Sequence, residues 1–161
     1  MLIKDKLKEL QESKIFKKWY DKNKHCFLAH IFISSDNLDN LYYGFYDKKT
    51  DKITSFIVNS EIIQSEAEEI FKRPEAKIDE LKINNVEIDL GQALERAKEI
   101  LHKKYKNELI VKYFVILQVL GKPLYNISHV TTTMNLINLK FDAKDGKLLK
   151  DIKTSLMQFK K

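Results

Sequence analysis

Apolar side chains recur at Ile3, Leu7 and Leu10, and then at Ile15, Phe16, Trp19 and Tyr20 on a face rotated from the first. The spacing predicts a helix of about five turns over 2–22 that bends, or sends its halves to different neighbours, near Ser13. From 25 to 33 nearly every position is apolar, the pattern of a strand covered on both faces. Residues 41–46 and 53–58, rich in Tyr, Phe, Ile and Thr and separated by Asp47-Lys48-Lys49-Thr50-Asp51-Lys52, predict a hairpin. Ile63, Ala67, Ile70 and Phe71 have the spacing of a short amphipathic helix that ends before Pro74. Ile78, Leu81, Ile83, Val86 and Ile88 then tether an irregular acidic connector to the core. Asp89 stands three residues before Gln92 as a capping pair, and Leu90, Ala93, Leu94, Ala97, Ile100, Leu101 and Tyr105 trace one helical stripe over 90–105. Four strands are predicted after it, at 109–120, 124–133, 136–141 and 147–154, with turns at Gly121-Lys122-Pro123 and Asp142-Ala143-Lys144-Asp145-Gly146.

This order, helix followed by antiparallel strands and written twice, predicts an α+β fold. Its form would be a curved antiparallel sheet of six or seven strands with the helices mainly on one face. One domain over 1–161 is expected, either a single unit or two fused α-β-β-β halves, about 1–58 and 89–154, joined by a helix and the connector. At residue level the repetition shows in the hairpins, where Phe45-Tyr46-Asp47-Lys48-Lys49-Thr50-Asp51-Lys52-Ile53 parallels Lys140-Phe141-Asp142-Ala143-Lys144-Asp145-Gly146-Lys147-Leu148. Duplication is one reading. The other is that short hairpins converge on Asp and Lys around their turns.

The helix over 90–105, a following strand and the closing hairpin Leu139-Lys140-Phe141-Asp142-Ala143-Lys144-Asp145-Gly146-Lys147-Leu148-Leu149 resemble the PepSY-type domain. The last hairpin of that family typically reads Val-x-Val-Asp-Ala-x-Thr-Gly-x-Val. The likeness spans at most about 60 residues. It implies a PepSY-like or cystatin-like topology and a non-enzymatic module that restrains peptidases or binds peptides, usually outside the cytoplasm. The whole chain also resembles small archaeal proteins, a likeness to which no function attaches.

Composition narrows the classes. Of 161 residues 43% are hydrophobic and 32% charged, enough for a core and a solvated exterior, with only four Gly and two Pro. No apolar run approaches the ~20 residues of a membrane-spanning helix, and the amphipathic start does not read as a signal peptide. One cysteine, Cys26, suits a reducing compartment, so a cytoplasmic location is expected. The net charge of +6 is unevenly spread: eight Lys against four acids over 1–24 and seven against three over 140–161, but eleven acids against six bases over 59–99. Only Arg73 and Arg96 offer the bidentate fork suited to phosphate and guanine, so nucleic acid is not the expected partner.

Candidate chemistry is sparse. His25, Cys26 and His30 are the densest set of donors, and a strand would put Cys26 and His30 on one face with His25 opposite. A closed zinc site would have to recruit His102 or His129, so no metal is expected. Cys26 as a nucleophile would need a base such as His129. Asp36, Asp39, Asp47 and Asp51 fall in apparent turns. No phosphate-cradling Gly-rich loop exists, and neither a cofactor nor a catalytic residue is expected. Tyr42 and Tyr46 remain as partner-binding residues, since they flank Gly44 on one strand face and would leave a shallow gap between two amphipathic rings. The expected function is a non-catalytic binding or regulatory module for a protein or peptide. The alternatives are weak nucleic-acid binding through the Lys-rich termini and small-molecule binding in a concave sheet pocket.

Overall fold

The computed structural model describes residues 1–70 and 76–159. It is an α+β protein. Helices α1 (Leu2–Glu12) and α2 (Lys14–Asp21) precede strands β1 (Phe27–Ser34), β2 (Asn37–Asp47), β3 (Lys52–Val58), β4 (Ile62–Gln64) and β5 (Glu68–Glu69). After the connector come α3 (Leu90–Lys104), β6 (Ile110–Leu120), β7 (Lys122–Thr131), β8 (Asn135–Asp142) and β9 (Leu148–Ser155). The nine strands form one antiparallel sheet in the order β4-β3-β2-β1-β6-β7-β8-β9, with β5 also on β3. Seven of them are the long strands that the pattern predicts.

The bend near Ser13 is a break between two helices. Ser13 is extended (φ −72°, ψ 150°), donates its amide to Leu10 O, and accepts the Phe16 amide on its hydroxyl at 3.2 Å, capping α2. The chain can then turn Phe16 and Trp19 onto Phe45 and Phe56, with ring centroids 5.2–5.6 Å apart. Asp89 and Gln92 close the expected capping box at the start of α3.

The amphipathic helix expected over 63–71 does not form. Its described part is the short strands β4 and β5, paired to the outer edge of β3, and Phe71 lies outside the described residues. Unpaired edge N–H and C=O groups of β3 supply the reason, since they gain partners only if the chain folds back extended. Asn59 Oδ1 takes the Glu61 amide at 2.7 Å in the turn, and Ser65 exchanges bonds with Ser55 at 2.8 and 2.9 Å.

One row of side chains shows how the halves join. Phe56, Tyr43, Ile31, Leu117, Tyr125 and Phe141 lie opposite one another across six strands, and none is more than 1% exposed. The helices pack on this face. The Tyr43 hydroxyl donates to Ile3 O of α1 at 2.8 Å and the Tyr125 hydroxyl to Ile88 O before α3 at 2.6 Å, so the buried phenols stay satisfied. The connector adds bonds from the Leu81 amide to Leu28 O at 2.7 Å and from the Glu87 and Ile88 amides to Ala143 O at 2.9 Å.

Strand order runs outward from the antiparallel β1–β6 pair in both directions, so helix-then-strands is a repeat centred on that pair. The two similar hairpins are not its equivalents. Their turns do share hydrogen bonds: Asp47 and Asp142 accept the Lys49 and Lys144 amides at 2.8 Å, and positive φ falls at Asp51 (57°) and Gly146 (75°). Yet the first joins the second and third strands of its half and the second joins the third and fourth. Tyr46 moreover faces away from the helices while Phe141 faces them. Their parallel is one of turn chemistry.

Candidate functional site

The sheet face away from the helices carries the exposed chemistry. β1 was expected to be covered on both sides; Leu28, Ile31 and Ile33 join the helix-side core and Ala29 is buried on the other face, but Phe32 on that other face stays half-buried. There Phe32 packs edge-on against Tyr42 at 5.6 Å and stacks on Phe114 at 6.0 Å, with the Lys112 ammonium 5.3 Å from the Phe114 ring. Ile57 and Ile116 extend the patch, because Ile57 is opposite Tyr42 and Ile116 opposite Phe32. All five apolar side chains are half-buried, and among the described residues no helix lies over them.

Beyond Ile116 the same row turns polar and then basic, through Asn126, Lys140 and Lys150. Asn138 donates to Asn126 Oδ1 at 2.6 Å and Ser128 Oγ at 3.0 Å, and accepts from Lys140 Nζ at 2.5 Å. Burial, with the Lys150 charge opposite, pushes the Lys140 ammonium below its ordinary range. Asp142, the neighbouring acid, is engaged by Lys122 at 2.8 Å.

Tyr42 and Tyr46 share this face, but only Tyr42 belongs to the open patch. The Tyr46 ring is 5% exposed, packed with Phe27 and Ile53 beneath Ile70 and Ile78 of the connector. Its hydroxyl donates to Asp51 at 2.5 Å, a bond that, with burial, pushes the phenol up to about 12. Nor does Gly44 leave a gap between the tyrosines, because the His30 ring fills it: a methyl at Gly44 would come within 2.5 Å of that imidazole. Phe32, Phe114 and Ile116 were missed by the sequence reading. Their signal is Phe114 and Ile116 two positions apart on one strand and Phe32 on another, which by itself does not say whether that face is covered.

The His25, Cys26 and His30 cluster assembles differently from expectation. The strand starts only at Phe27, and a bulge at Ala29 shifts the alternation, so Cys26 joins the helix-side core while His30 faces the other way. His25 instead meets Cys26, with Nε2 3.8 Å from Sγ and 3.0 Å from Asp47 Oδ1. One nitrogen thus serves both neighbours, whereas a nucleophile triad needs a base whose second nitrogen is held by the acid. Burial, and then the Asp47 charge, pushes the thiol up to about 11 against an opposing pull from Lys49. Burial alone would raise Asp47 as well, but hydrogen bonds from His25 and the Lys49 and Thr50 amides hold it below the usual carboxylate range. The three donor atoms lie within 4.8 Å of one another, so one cation could touch all three. His129 is remote from them, on β7. Asp36 and Asp39 sit at the other end of β2 from Asp47 and Asp51, and these carboxylates form no common site.

No family model and no curated protein matches the chain. Among solved structures it is similar to a putative lipoprotein from Clostridium difficile 630, with a TM-score of 0.54 at 17% identity over 87% of this chain and 90% of that one. At that identity the likeness is one of fold. No helix among the described residues is long and apolar enough to cross a membrane.

Proposed function

We propose that this chain is a non-catalytic docking module whose helix-free sheet face takes a protein segment presenting apolar side chains next to carboxylates. The observation that carries it is the gradient along one row of that face, from Ile57, Tyr42, Phe32 and Ile116 to Lys140 and Lys150. Rigid aromatic anchors match the composition of protein-binding surfaces, where a few aromatic residues carry most of the affinity, and the neighbouring lysines supply the charge that would select a partner with carboxylates. The resemblance of the second half to PepSY-type domains supports the same class of role. Nucleic-acid binding through the basic termini fits less well, because they do not converge. α1 and α2 lie over β2 and β3, and β9 is six strand spacings from β3, about 29 Å away.

A random-peptide display selection on the immobilised protein tests the proposal. Selected peptides should combine aromatic or aliphatic residues with Asp or Glu. Their affinity should fall more than about tenfold in the Tyr42→Ser/Phe114→Ser variant and also in Lys140→Glu, with circular dichroism unchanged. Peptides that bind both variants as well as the parent would place recognition elsewhere and refute the reading.

A further inference from the structure

On the helix side, and on the other face of the sheet from the docking surface, a cavity of about 290 Å³ opens between α3 and strands β6 and β7. Leu94, Ala97 and Leu101 of α3 form one wall and Ile110 and Tyr113 of β6 the other, so its lining is mainly apolar. His129 closes it as a polar group that is itself only 3% exposed. Nδ1 lies 3.2 Å from the carbonyl oxygen of Ile137, and a carbonyl can only accept, so Nδ1 carries the hydrogen and Nε2 presents a bare lone pair. Among the described residues no group bonds Nε2. Every fully occluded side-chain nitrogen and oxygen among the described residues has a partner, so Nε2 reaches open space, and the space beside His129 is this cavity. A buried acceptor facing an apolar void favours a guest that brings a donor, because leaving the acceptor unpaired costs more than pairing it.

We infer that this cavity binds a small neutral molecule, apolar over most of its surface, that carries a single hydroxyl or N–H donor for His129 Nε2. A cavity of about 150 Å³ accepts benzene, so 290 Å³ admits one substituted ring or a fused pair of rings. Phenols and indoles have this size and this single donor. Burial holds the His129 imidazole below its ordinary range and therefore neutral, which suits a neutral guest better than an acid.

Titrations with p-cresol and toluene, two molecules of similar size that differ in the donor, test this by heteronuclear NMR. p-Cresol should bind about 3- to 10-fold more tightly, the worth of one net hydrogen bond, and should move the Nε2 nitrogen resonance of His129, which toluene should not. In His129→Phe the preference should disappear, and Leu94→Trp, which fills the space, should abolish both titrations. Should the histidine variant fail to fold, the Nε2 resonance of the parent still decides the matter. No saturable binding of p-cresol at millimolar concentration would overturn the inference, as would equal affinities for the two probes in the parent or a p-cresol complex that leaves Nε2 unmoved.

Discussion

Gly44→Ala places a methyl where the His30 imidazole lies, 2.5 Å from Cε1 and 2.6 Å from Nε2. The backbone of Gly44 is ordinary strand, so the substitution itself brings no conformational strain and in open space would be mildly favourable. All of the cost must come from the ring. His30 sits between β2 and β6, opposite Gly44 on one side and Gln118 on the other, and has little room to retreat within the sheet. Overpacking of this kind costs about 1–3 kcal/mol, which for a chain of this size lowers the melting temperature by about 2–12 °C. The discriminating measurement is a double-mutant cycle by urea unfolding. Gly44→Ala should be destabilising beside His30 and neutral or slightly stabilising once His30→Ala has emptied the space. A cost that persists unchanged in the His30→Ala background would show that the ring is not what Gly44 accommodates, and the account of the filled gap would be wrong.

Three further outcomes are expected. Tyr43→Phe removes the donor to the buried Ile3 carbonyl and should cost about 1–3 kcal/mol in chemical denaturation, whereas Tyr42→Phe on the open face should change stability by less than about 0.5 kcal/mol; equal effects would contradict the assignment of faces. Glu108 is held at about 2 by hydrogen bonds from Lys153, Thr133 and Asn135, and Asp142 is lowered by Lys122, so their contributions are complete above the ordinary carboxylate range and disappear as pH falls toward 2. Acid unfolding followed by circular dichroism should accordingly be displaced in Glu108→Gln, and an identical acid transition in parent and variant would refute this. Cys26, with its thiol at about 11, carries about 100-fold less thiolate at pH 8 than a thiol at the ordinary value of 9.0 and should react with a thiol reagent correspondingly slowly; the logarithm of the rate should rise with unit slope to pH 10, and a plateau near pH 9 would disprove the shift.

Much of the architecture is legible in local pattern. The α3 stripe with its Asp89–Gln92 cap, the Ser13 break and the seven long strands follow from spacing, because amphipathic period and turn chemistry are properties of neighbouring residues. Spacing alone fails at 63–71, where Ile63, Ala67 and Ile70 have helical periodicity but the vacant edge of β3, one turn away along the chain, offered backbone partners that a helix could not use. Site placement was less legible. Tyr42 and Tyr46 share a strand face by parity alone, yet one lies open and the other lies under the connector, a distinction made only when Ile70 and Ile78 fold over β1–β3. Cys26 and His30 were separated by a single bulge residue, Ala29, which no alternation rule signals. His129 reads in sequence as an ordinary strand residue, and only the docking of α3 above it turned its Nε2 toward a cavity. Sequence by itself determined which residues are helix and which are strand wherever local periodicity was unopposed; the tertiary structure decided which faces are covered, since covering depends on contacts between segments that are neighbours only after the sheet has formed.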